Sequence, residues 1–88
     1  MKLKGEFLIR EVTGEIFAIP IGKTALHFNG IICLNAVSKL IWKELQAGET
    51  KENILKRMLE VYEVSHEEAA SDLEEFLSRL KENNLLED

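Results

Sequence analysis

Three groups of side chains in this sequence are of types that could carry chemistry. The run Phe17-Ala18-Ile19-Pro20-Ile21-Gly22-Lys23-Thr24 ends in Gly-Lys-Thr, the close of a phosphate-cradling loop. That chemistry needs glycine at the first motif position and a helix directly after the loop. Here the first position is Phe17, and residues 25–30 carry no helical pattern, so a solvated loop is expected instead. His27 and Cys33 stand six positions apart, with His66 far along the chain. A zinc site usually needs four ligands at paired short spacings, and the second pair is missing. Cys33 lies in an apolar run and is expected to be a buried, inert thiol. His66, second in the run Ser65-His66-Glu67-Glu68, is expected to be a solvated first-turn residue, and neither histidine has an obvious catalytic partner. No catalytic residue, no metal ligand and no cofactor is expected.

The third group is acidic: Glu67, Glu68, Asp72, Glu74, Glu75 and Glu82. Paired carboxylates can do acid–base work, but on a helix this density describes a solvated face. Glu67 and Glu68 also favour the positive end of the helix dipole. Asp72 differs, because it shares a stripe with Phe76.

Composition sets the outer limits. The 88 residues are 45% apolar and 31% charged, with a net charge of −5. A chain of this length makes one small domain, burying about 60% of its unfolded surface. Residues 1–49 carry six basic and five acidic side chains; residues 50–88 carry five and eleven. Phosphate affinity rests on clustered Lys and Arg, so nucleic acid is not an expected partner. Nor is a membrane, since no apolar run approaches the roughly 20 residues of a spanning helix. The start lacks the apolar stretch of a signal peptide. A single cysteine excludes an internal disulfide and fits a reducing, cytoplasmic setting.

The elements that must position these residues follow from pattern. Two β-type runs, 7–12 and 15–21, flank a turn in which Gly14 supplies a positive φ, giving a hairpin. Pro20 belongs near a strand end or an open edge. Residues 22–30 form a loop with Gly22 and Asn29-Gly30 as turn signals. A third strand over 31–34 stops at Asn35, which caps a first helix over 36–46 with Val37, Leu40, Ile41 and Leu45 on one stripe. Gly48 ends it. Thr50 caps a second helix over 51–62, where Ile54, Leu55, Met58 and Tyr62 recur at helical spacing. Ser65-His66-Glu67-Glu68 is a capping box opening a third helix over 66–83. Its inner stripe is Ala70, Leu73, Leu77 and Leu80; a second stripe of Ala69, Asp72, Phe76 and Arg79 lies about a quarter turn away. Asn83-Asn84 supplies a left-handed exit, and Leu85-Leu86 folds back on the core. The expected fold is α+β: an N-terminal three-stranded antiparallel sheet followed by a three-helix bundle, winged helix-turn-helix-like, as one domain over 1–88.

A helix-turn-helix often reads DNA through its last helix, so a winged-helix transcriptional regulator is the alternative reading. The six acids of that helix face only Arg79 and Lys81, a surface that repels phosphates.

Several pieces occur together in a fixed order. They are Gly-Ile-Ile-Cys-Leu-Asn at 30–35, Ile41-Trp42-Lys43-Glu44-Leu45, Gly48-Glu49-Thr50, Tyr62-Glu63-Val64-Ser65 and Asp72-Leu73-Glu74-Glu75-Phe76-Leu77, before Leu85-Leu86. Over nearly its whole length the chain resembles the PqqD family, named for the small chaperone of pyrroloquinoline quinone biosynthesis. Asn84 stands where glycine is common in that family, and the 22–30 loop is longer than in the quinone-cofactor members. The resemblance implies a non-catalytic recognition element for ribosomally made, modified peptides. Such an element holds the leader segment of a precursor and presents the rest to a modifying enzyme, often a radical S-adenosylmethionine (SAM) protein. It further implies that the leader adds as a strand beside the third strand and lies against the third helix.

The residues suit such a role. An edge strand exposes unpaired N–H and C=O groups that a guest strand satisfies. Ile31, Ile32, Cys33 and Leu34 are the expected template, and Ala69, Asp72, Phe76 and Arg79 the expected facing wall. Phe76 offers an aromatic floor beside small Ala69, with Asp72 and Arg79 available to guest charges; core packing is the alternative role for Phe76 and Ala69. The same edge can pair with a second copy, giving a homodimer.

Overall fold

The computed structural model describes residues 1–28 and 30–87. The turn signal at Asn29 lies outside the described residues. The fold is α+β, with the larger sheet preceding the three long helices as the sequence pattern predicts. The chain divides into two compact units, Met1–Lys4 with Leu40–Asp88, and Gly5–Lys39.

The Gly5–Lys39 unit is built on a hairpin. Strands β2 (Phe7–Val12) and β3 (Glu15–Pro20) pair antiparallel from Phe7↔Pro20 to Val12↔Glu15. Thr13 and Gly14 both take positive φ, 52° and 82°. Such a two-residue turn has the twist that suits right-twisted strands. Strand β4 (Ile32–Leu34) lies on the other side of β3, giving the order β2-β3-β4. Its register is Ile16↔Leu34, Phe17↔Cys33 and Ala18↔Ile32. Pro20 closes β3 two residues beyond the last pairing with β4, so its missing N–H removes nothing from that ladder.

The loop after β3 departs from expectation. Thr24–His27 forms a short helix, α1, where no helical pattern was legible. Four residues are too few to show a period, and tertiary contacts hold the turn. Thr24 Oγ1 accepts the Glu6 N–H at 2.7 Å, and Phe28 meets Phe7 edge-on with ring centroids 5.7 Å apart. The phosphate-loop reading fails on another ground: Phe17 to Pro20, which would have to form the loop, are strand β3.

Asn35 and Ser38 join β4 to α2 (Ala36–Gln46) by a reciprocal cap. The Ser38 N–H donates to Asn35 Oδ1 and the Asn35 N–H to Ser38 Oγ, each at 2.8 Å.

The other unit holds most of α2 together with α3 (Lys51–Val61) and α4 (His66–Glu82). Thr50 Oγ1 accepts the Asn53 N–H and Ser65 Oγ the Glu68 N–H, so both predicted caps are made. Ile41, Trp42, Leu45, Ile54, Met58 and Leu73 are its largest fully buried side chains. Each contributes roughly 1.5–3 kcal/mol on burial. Trp42 falls outside the predicted stripe of its helix and is nonetheless wholly enclosed. Lys51 of α3 pairs with Glu74 of α4, and Arg57 reaches Glu44 of α2 at 3.6 Å.

Two helix ends share one device. After α2, the Glu49 N–H donates to Glu44 O and the Gly48 N–H to Leu45 O; after α4, the Leu85 N–H donates to Leu80 O and the Asn84 N–H to Lys81 O. Both are Schellman closures, with Gly48 (φ 81°) and Asn84 (φ 58°) in the left-handed position. Leu85 and Leu86 are buried, as expected. A feature that the sequence pattern did not disclose follows: β1 (Lys2–Leu3) pairs antiparallel with β5 (Leu86–Glu87). Among the described residues, three strands thus become five.

Candidate functional site

β4 has β3 along one side only; among the described residues no strand pairs with its other side. Three residues of open ladder, bounded by Gly30 and the Asn35 cap, make an unpaired edge of about 10 Å. Edge strands of this length are a normal protection against uncontrolled pairing, and a short peptide can still use one.

Side chains alternate along this edge. Leu34 is buried and Ile32 half-buried on the enclosed face of the sheet, which also carries buried Phe7, Ile16 and Ala18. Cys33 points the other way and is exposed, correcting the expectation of a buried thiol. The apolar run around Cys33 shows no alternation, so the sequence cannot assign its face. The register does, by setting Cys33 beside Phe17. Ile31, expected within the strand, immediately precedes β4 and is 54% exposed.

The remaining site residues lie on α4, in the other unit. Asp72 and Arg79 are exposed, whereas Ala69 and Phe76 are 0% and 5% exposed. The burial of Ala69 and Phe76 widens the core stripe of α4 beyond the predicted Leu73, Leu77 and Leu80, and Ala70 is only half-buried. The exposed surface of α4 carries Glu67, Glu68, Asp72, Glu74 and Glu75. Among the described residues, no group of three His, Cys, Asp or Glu is placed to hold a metal ion. No helix of the described chain is long and apolar enough to cross a membrane.

Phe17 and Ile19 are neighbours of the edge that the site prediction omitted. Their signal was present in the hairpin run, but only the pairing of β3 with β4 places Phe17 next to the template strand.

No curated protein matches the chain. Among solved structures, TbiB1 in complex with the TbiA(beta) leader peptide is similar at 25% identity and a TM-score of 0.76, over 99% of this chain and 95% of that one. The sequence profile described as coenzyme PQQ synthesis protein D (PqqD) matches residues 23–86, a span that takes in β4, all three long helices and the return of the chain after α4. By that match, the chain belongs to the PqqD family.

Proposed function

We propose that this chain is a non-catalytic recognition module for the leader segment of a ribosomally made precursor peptide. The leader adds as a strand to the open edge of β4, and the rest of the precursor is presented to a separate modifying enzyme of the radical SAM class. The observation that carries this reading is the unpaired side of β4, taken with membership of the PqqD family and the leader peptide bound to TbiB1.

Main-chain N–H and C=O groups of Ile32, Cys33 and Leu34 give attachment that tolerates sequence change in the guest. Selection then falls to side chains; Asp72 and Arg79, exposed on α4 in the other unit, are the charged residues to test for a part in it. Ala69 and Phe76 act from beneath the surface by holding that helix in shape. The exposed thiol of Cys33 suits a cytoplasmic location. A second copy paired on the same edge is the competing occupant. The DNA-binding alternative gains nothing, because the exposed acids of α4 oppose phosphate contact.

An amide chemical-shift titration of labelled protein with synthetic leader segments of short peptides encoded in the same genome tests the reading. Saturable shifts at Ile32, Cys33 and Leu34 are expected. Saturable shifts confined to other residues would overturn the strand-addition mechanism, and absence of any shift would overturn leader recognition.

A further inference from the structure

An antiparallel sheet with one enclosed face normally presents polar residues on the other. This one does so only at Arg10 and Glu15. Its outward rows are Leu8↔Ile19, Arg10↔Phe17↔Cys33 and Val12↔Glu15, and the first two run toward the open edge. Leu8 and Cys33 are exposed and Phe17 and Ile19 half-buried on that face. Carrying the β3–β4 register one residue further sets Ile31 beside Ile19, extending the Leu8–Ile19 row to the open edge. Both rows therefore end at the edge on an exposed apolar or weakly polar side chain, with Arg10 the one charge in them.

These rows do not stop at β4 once a guest strand is added. A residue opposite Cys33 has its Cβ about 4.5–5.5 Å away, and the guest residue two positions along stands opposite Ile31. We propose that the guest strand is read on this outward face as well as on the enclosed one: two apolar side chains, spaced i and i+2, seat beside Cys33 and Ile31 and continue the rows of Phe17 and Ile19. The guest is then apolar at successive positions rather than alternately apolar and polar. This inference rests on the leader-recognition reading and specifies the class of segment recognised.

Cys33 is the single cysteine of the chain and serves as its own reporter. The probe is the leader peptide used in that titration, synthesised unmodified and as a set with one cysteine walked along it. Each peptide cysteine is supplied as its thionitrobenzoate mixed disulfide. Attack by the Cys33 thiolate joins peptide to protein through a new disulfide and releases the coloured thionitrobenzoate anion. Trapping is expected at alternate positions only, where the natural residues are apolar. Replacing those residues by Lys, or Ile31 by Lys in the protein, is expected to weaken binding of the unmodified leader roughly five- to tenfold. Binding of the leader without trapping, trapping at successive positions alike, or unchanged affinity in Ile31→Lys would overturn the outward reading alone. Failure of the unmodified leader to bind would overturn leader recognition itself. A stable dimer with Cys33 shielded from reagent would assign the edge to a second copy instead.

Discussion

Cys33 stands opposite Phe17 in the register of β4 on β3, and on its other side no strand is paired among the described residues. This pairing turns a nondescript apolar run into an edge strand with one open side and two distinguishable faces. Phe17 has a strand on both flanks, while Cys33 has one.

Phe76 is a core residue by its burial, so its substitution should act through folding. Phe76→Ala is expected to lose about 3–5 kcal/mol of stability. Urea denaturation of the purified variant measures this directly. Loss of leader binding by a more drastic change such as Phe76→Asp would then report unfolding.

Asp72 and Arg79 separate binding from stability, because both are exposed. Alanine at either position should shift stability by no more than about 0.5 kcal/mol. The same changes should weaken leader binding by about 1–3 kcal/mol if the guest supplies a charged partner. Calorimetric titration beside thermal melting makes the comparison, and unchanged affinity in both variants would exclude Asp72 and Arg79 as guest contacts.

The Asn35–Ser38 cap secures the junction of template strand and helix. Asn35→Ala is expected to cost about 1–2 kcal/mol. Combined with Ser38→Ala, the two losses should be less than additive, since each change removes a different backbone bond of the cap but both remove the Ser38 Oγ to Asn35 Oδ1 bond. A double-mutant cycle in denaturant decides this, and strict additivity would contradict a shared cap.

Thr13 is a β-branched residue at φ 52°, in a turn that favours Asn or Asp there. Thr13→Asn should stabilise the hairpin by about 1 kcal/mol and raise the melting temperature by roughly 4–8 °C. A lower melting temperature would mean that the threonine makes a compensating interaction.

Features that depend on neighbours in sequence were the most legible. Asn35, Thr50 and Ser65 cap their helices within three residues, and the hairpin declares itself through two β-type runs on either side of Gly14. The membership of the PqqD family was also readable, because its motifs are local and ordered. What depends on distant pairing was not. The face of Cys33 is set by β3, and the short helix at Thr24 by Glu6. Phe76 and Ala69 lie a quarter turn from the inner stripe, where helical spacing alone cannot divide core from surface. Trp42 escaped for the same reason.

The pairing of β1 with β5 has a consequence for the order of folding. Its ladder is two residues long, extended by the Lys4 N–H to Leu85 O, and the Lys4 ammonium donates to Asn84 Oδ1 across 80 positions. Closing a loop of that length in an unfolded chain costs about 4 kcal/mol, more than so short a ladder returns. The hairpin and the helices, whose contacts are local, must therefore shorten the loop first. The two end strands join last and part first, so their amides should exchange with solvent ahead of the helical core and record each partial opening of the chain.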